Sequence, residues 1–231
     1  MDQPHFLPSI SVGLFNRAKE AARMGQSCIV IQLCSASMEA FVNEYIEIGT
    51  KLIQAKEKHD KRQEENQKSI LTRGSVSYFV GLPKVEKDLI NTLRTQESER
   101  KQIFIKINTI IEVCTGKQWN KGDKVYQDYC TLINLRNALT HPRSQLVTLG
   151  SYNYPDCLKP FYRQKSKDYF KHVNQYQSWI DAIDTSVFAN WCLNAFINIM
   201  RTMLNAMSAL PKNLEITRSV GVTYLNDFNF Q

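Results

Sequence analysis

Arg136-Asn137-Ala138-Leu139-Thr140-His141 brings a guanidinium, an amide and an imidazole into six consecutive residues. Imidazole titrates nearest to neutral pH, so proton transfer is the chemistry this set could support. The segment closes a helix expected from Asp123, a good N-cap residue, to His141. Pro142 ends it by pushing the preceding residue out of the α region. Along this helix Val125, Tyr129, Leu132, Arg136 and Leu139 follow spacings of four, three, four and three, which define one face. A guanidinium in line with apolar residues needs a partner carboxylate, a path to water or a cleft to face. Glu39 and Glu44, on an earlier helix, are the candidate partners.

His141 sits at the helix C-terminus, where the macrodipole favours a protonated ring. Asn137 lies one turn earlier and is placed to hydrogen-bond a ring nitrogen and set its tautomer. Arg136 and His141, five residues apart, are separated by about 140° on a straight helix. Two arrangements bring them together. Either the helix end loosens at Pro142 and His141 turns back, or two copies of the helix meet across a two-fold axis and share a composite site.

Those residues need a scaffold, and the scaffold reads as all-α. With 9 Gly and 7 Pro in 231 residues, breakers are too few for a many-stranded sandwich. A helix over Val12–Met24 is closed by Gly25, and a long one runs from Gln26 to about Lys58. The first half of the long helix is apolar nearly all round, the mark of a buried helix. The mixed-sign tract Lys56–Glu65 reads as a solvated helix extension or a linker. Gly74 to Gly81 is rich in breakers, and Pro83 suits a first helical turn running on to Arg94.

A further helix is expected from about Ser98 to Cys114, stopping at Gly116. Residues 143–171 read as a loop-rich insertion. The last long helix, from Asp184 or Thr185 to Leu210, carries two apolar rows, one from Val187 to Met207 and one from Phe188 to Leu204. Two rows require two neighbours, from bundle packing or a dimer. The tail, 211–231, reads as a short strand or an extended arm. The whole, 1–231, is one domain with its core at about 26–210.

The six cysteines, at 28, 34, 114, 130, 157 and 192, include no C-x-x-C pair and no finger-spaced His. They read as small buried hydrophobes of a reducing, cytoplasmic setting, with neither a metal nor a cofactor implied. The first residues lack the charge and apolar pattern of a signal peptide, and the most apolar stretch, 27–42, is too interrupted to span a membrane. Phosphate-loop, nucleophile-elbow and H-E-x-x-H motifs are absent. A net charge of +7 suits a nucleic-acid or anionic-lipid partner as readily as an ordinary solubilising surface. His5, His59 and His172 lie in polar surroundings and read as surface residues.

The Arg136–His141 segment resembles the signature of the HEPN superfamily, an Arg, a polar residue beside it and a His after a short interval. Ser37-Met38-Glu39-Ala40-Phe41-Val42-Asn43-Glu44 resembles that family's first core helix. The resemblance implies a helical bundle and a metal-independent endoribonuclease of toxin or antiviral-defence type. It implies that His141 moves the proton of a ribose 2′-OH or of the leaving 5′-oxygen. Arg136 would hold the scissile phosphate, and Asn137 would orient His141 or contact the phosphate. RNA would be the substrate, because the reaction needs a 2′-OH. A homodimer and a companion antitoxin, often nucleotidyltransferase-like, are the implied partners. The alternatives are a non-catalytic HEPN-like module that binds RNA or a partner protein, and a helical protein in which the motif is chance.

Overall fold

A computed structural model describes residues 9–68, 83–141, 155–163, 167–171, 178–211 and 214–230. Every regular element among them is helical: α1 (Ile10–Arg23), α2 (Ser27–Lys68), α3 (Lys84–Ser98), α4 (Ile103–Thr115), α5 (Lys124–Thr140), α6 (Lys159–Arg163), α7 (Trp179–Ile183), α8 (Ser186–Ser208) and α9 (Glu215–Phe228), with 3₁₀ turns at Asp156–Leu158 and Lys167–Tyr169. The all-α expectation is met by a bundle wrapped around α8. The breaker-rich segment from Gly74 to Gly81, Pro142, His5 and His172 lie outside the described residues.

The centre of the bundle follows from composition. On α8 the row Phe188, Cys192, Phe196, Met200 and Leu204 is fully buried, and the second row is buried from Ala195 to Met207. Such a helix must be covered on several sides, and α1, α2, α4, α5 and α9 all pack on it. Phe15 of α1 meets Phe196 of α8 and Phe228 of α9 with ring centroids 5.2 and 5.3 Å apart. The core therefore reaches beyond 26–210 at both ends.

Polar bonds inside this core fix the register of the outer helices. Glu44 of α2 is buried and accepts from Ser11 N at 2.9 Å, Ser11 Oγ at 2.6 Å and Tyr224 Oη at 2.7 Å. It thereby ties α1 and α9 to α2. Glu86 of α3 accepts from the backbone N–H of Thr217 at 2.7 Å, inside the first turn of α9. Leu214 at the head of that helix supplies no side-chain cap. A carboxylate there satisfies an orphan donor and opposes the positive end of the dipole.

Several boundaries differ from those expected. The tail is a helix, because Thr217, Val220, Tyr224 and Phe228 are buried at helical spacing against α8, although Val222-Thr223-Tyr224 favours strand locally. The mixed-sign tract is the helix extension, one of its two expected readings, and carries α2 on to Lys68, helped by the Lys56–Asp60 pair one turn apart at 3.6 Å. Between α3 and α4 the chain turns at 99–102, where one helix from Ser98 was expected. Arg100 adopts φ 54°, and the N–H groups of Arg100 and Lys101 donate to Glu97 O and Gln96 O. That is the left-handed helix ending glycine normally provides. Pro83 precedes the first turn of α3 instead of opening it. Within the insertion, the described residues form short helices anchored by buried Leu158 and Phe161.

Gly221 of α9 permits a close backbone approach to α8. A Cβ there would stand 2.7 Å from Ser208 N and 3.0 Å from Leu204 O, backbone atoms that cannot step aside. Gly13 of α1 faces open space. Gly221→Ala is expected to lower the unfolding free energy by about 1–3 kcal/mol. Gly13→Ala is expected to raise it by about 0.5–1 kcal/mol. Urea unfolding measures both, and an unchanged stability for Gly221→Ala would show that α9 does not lie this close to α8.

Candidate functional site

Helix α5 starts as expected. Asp123 caps it, its carboxylate accepting from Val125 N at 3.1 Å. The residues it buries are Tyr129, Leu132, Ile133 and Leu135, with Val125 and Leu139 partly covered. Arg136 stands at the border of that face, and its side chain is 32% exposed. Its position is resolved in favour of a cleft with a carboxylate beside it. Arg136 Nη2 lies 3.4 Å from Glu39 Oε1 on α2, and Nη1 donates to Asn137 Oδ1 at 3.3 Å. An open, single-contact pair of this kind contributes about 0–1 kcal/mol. The fold therefore gains little from Arg136, and the guanidinium keeps donors to spare.

Glu44, the other carboxylate considered for Arg136, is committed to Ser11 and Tyr224 instead. Helical geometry explains the division, since Glu39 and Glu44 are five residues apart and face different neighbours. Asn137 turns its carbonyl oxygen to Arg136, so that oxygen is not holding His141.

His141 is exposed, and its ring makes no hydrogen bond to another described residue. Helix α5 remains wound up to it. Thr140 Oγ1 donates to Arg136 O at 2.6 Å, and His141 N donates to Asn137 O at 3.0 Å. Only at His141 does the backbone leave the helix, with φ −125° and ψ 61°. The helix end does not loosen early enough to swing the imidazole to the Arg136 side. Within one chain, the structure brings Arg136 and Asn137 together and leaves His141 apart.

Arg136 and Asn137 line a cleft of about 250 Å³ between α2, α5 and the turn into α4. Arg100, Lys101 and Lys106 line it too, against the carboxylates of Glu39 and Glu97. Lys106 is 7% exposed and pairs with Glu97. These basic neighbours are absent from the sequence-based site, although Lys106 carried the same signal as Arg136. It interrupts the apolar stripe Ile103, Ile107, Ile110 and Ile111, one turn from Ile103. Tyr129, two turns before Arg136 on the same face of α5, is fully buried with its hydroxyl unpartnered. Burial first, then the charges of Cys130 and Glu39, hold that phenol well above its usual range.

The thiols do not offer a competing nucleophile. Burial pushes Cys28 and Cys157 up to about 11 and Cys114 up to about 12, and raises Cys34 and Cys192 as well. Among the described residues no group of His, Cys, Asp and Glu is placed to hold a metal ion, and no helix is long and apolar enough to cross a membrane. No family model, curated protein or solved structure matches the chain.

A thiol with a pKa near 11 is ionised to roughly one part in a thousand at pH 8. Alkylation at pH 8 should therefore label Cys28, Cys34, Cys114, Cys157 and Cys192 far more slowly in the folded than in the urea-unfolded protein. Mass spectrometry of the labelled peptides reads this directly. Fast labelling of Cys34 or Cys192 in the folded state would contradict the packing around α8.

Proposed function

We propose that the protein is a metal-independent endoribonuclease of the HEPN type, working as a homodimer in which His141 of one copy meets Arg136 of the other. One observation carries the proposal. Arg136 stands in an open, net basic cleft with a single weak carboxylate contact, on the same helix as an unengaged imidazole. A structural arginine would be expected to have its donors filled.

The chemistry follows from the two groups. Arg136 binds the scissile phosphate of RNA and stabilises the charge that grows on its oxygens. His141 moves a proton, from the ribose 2′-OH or to the departing 5′-oxygen. The 2′-oxygen bonds to phosphorus, the P–O5′ bond breaks, and the products are a 2′,3′-cyclic phosphate and a 5′-hydroxyl. Asn137 holds the guanidinium in place from its own side chain, a role supported by the 3.3 Å contact. Glu39 balances the Arg136 charge when the cleft is empty. A toxin or antiviral-defence role in the cytoplasm, with an antitoxin or nucleotidyltransferase-like companion, would fit such an activity.

The separation of His141 from the cleft within one chain favours a second reading, a module that binds RNA or a partner protein without cutting. Cleavage decides between them. With single-stranded RNA and EDTA, the wild-type protein should yield ends bearing a cyclic phosphate, and Arg136→Ala and His141→Ala should each lower the rate by about 10²-fold or more. Wild-type protein that cuts no RNA sinks the nuclease reading and leaves the binding module.

Composite geometry makes a separate prediction. Mixing the two inactive variants and allowing subunits to exchange should restore roughly a quarter of the wild-type rate, because half the dimers are mixed and each has one intact site. No recovery after demonstrated exchange would place Arg136 and His141 in the same subunit's site.

A further inference from the structure

The same cleft is lined by Gln102 and Ile103, at the end where α4 begins. The first turn of α4 has no side-chain cap and no acidic residue, and the backbone N–H groups of Ile103 and Phe104 meet no acceptor among the described residues. Helix starts left open in this way attract oxyanions. Ser35 of α2 lines the same cleft. It is 2% exposed, yet its Oγ has no hydrogen-bond partner. Buried hydroxyls are ordinarily satisfied, so this one points to a missing acceptor.

The charges complete the picture. Arg136 faces Glu39, Lys106 pairs with Glu97, and Lys101 lies 3.4 Å from Glu99. Arg100 has no ion pair among the described residues and lines the cleft directly ahead of α4. It occupies a left-handed position, φ 54°, that would suit glycine better. A cation is therefore kept where the backbone favours its removal.

We propose that this end of the cleft seats a phosphate group, held by the open first turn of α4, the Arg100 guanidinium and the Ser35 hydroxyl. As the seat of the strand phosphate next to the scissile one, it rests on the ribonuclease reading; as an oxyanion site, it stands without that reading. Lys101 and Lys106 add positive field, and Glu39 and Glu97 bound the site so that it takes one phosphate instead of a diffuse polyanion.

Two substitutions test this without threatening the fold. Arg100→Gly removes the cation and suits the backbone, and Ser35→Ala removes an unsatisfied hydroxyl. Both should melt at or above the parent temperature without ligand. The full chain carrying His141→Ala, which cannot cut, is the parent. One probe is inorganic phosphate, read as a thermal shift against chloride at equal ionic strength. The other is a short 2′-O-methyl RNA strand, read by fluorescence anisotropy.

Each substitution should weaken binding about tenfold. If both probes bind and both lose affinity, the site accepts a free phosphate group. If only the strand binds and loses affinity, the site serves the strand. Binding of either probe that is unchanged in both variants overturns the proposal, as does strand binding that responds to Arg136→Ala alone. That last result would leave the ribonuclease reading intact. Phosphate binding that depends on Arg100 and Ser35, in a protein that cuts no RNA, would refute the nuclease and keep this site.

Discussion

A helix that is apolar round most of its circumference cannot be stabilised by one neighbour, and α8 sets this condition for the whole molecule. Its two rows of Phe, Met, Ile and Leu demand cover from several directions. Five other helices answer that demand, α1, α2, α4, α5 and α9 all packing on α8, while α3 packs on α2 and α4. The candidate site is a by-product of this packing. Where α2, α4 and α5 converge on the same central rod, their outer edges leave a cleft that no apolar side chain fills, and Arg136 lies along it.

Hydrophobic cover alone would leave the outer helices free to slide, since apolar contact is weakly directional. Buried hydrogen bonds remove that freedom. Glu44 holds three donors from α1 and α9, and Tyr45 shares a 2.7 Å hydrogen bond with Thr217. These groups are costly if left unpaired, so each penalises a shifted register. In contrast, the Arg136–Glu39 pair sits at the margin of the core, partly exposed and loosely made. The tight contacts of Glu44 and Tyr45 serve the architecture, and the loose one at Arg136 leaves that guanidinium open to the cleft.

Elements with strong periodicity and clear punctuation were legible from residues alone. Asp123, Gly25, Gly116 and the rows on α8 each have a local physical cause that the sequence displays. The α3–α4 turn was not legible, because Arg100 occupies a position where glycine would have announced a helix end. The tail misled for the opposite reason. Its β-branched residues favour a strand, and only contact with α8 makes it a helix. At the site, the spacing of apolar residues marks Arg136 on α5 and, in the same way, Lys106 on α4. It could not choose between Glu39 and Glu44, which depends on how α2 is rotated, nor show that α5 stays wound to its last residue.

The carboxylates of α2 and α3 carry one more implication, which concerns synthesis. Glu44 waits for Tyr224, 180 residues further along the chain, and Glu86 waits for the N–H of Thr217, 131 residues further along. On a growing chain, Glu44 has Ser11 within reach but lacks Tyr224, and Glu86 lacks the Thr217 N–H, until α9 has emerged from the ribosome. Contacts so distant in sequence close late. The helices that frame the cleft are all made before the segment that locks them in place. A nascent chain therefore holds every residue of the candidate site before the finished bundle stands around it.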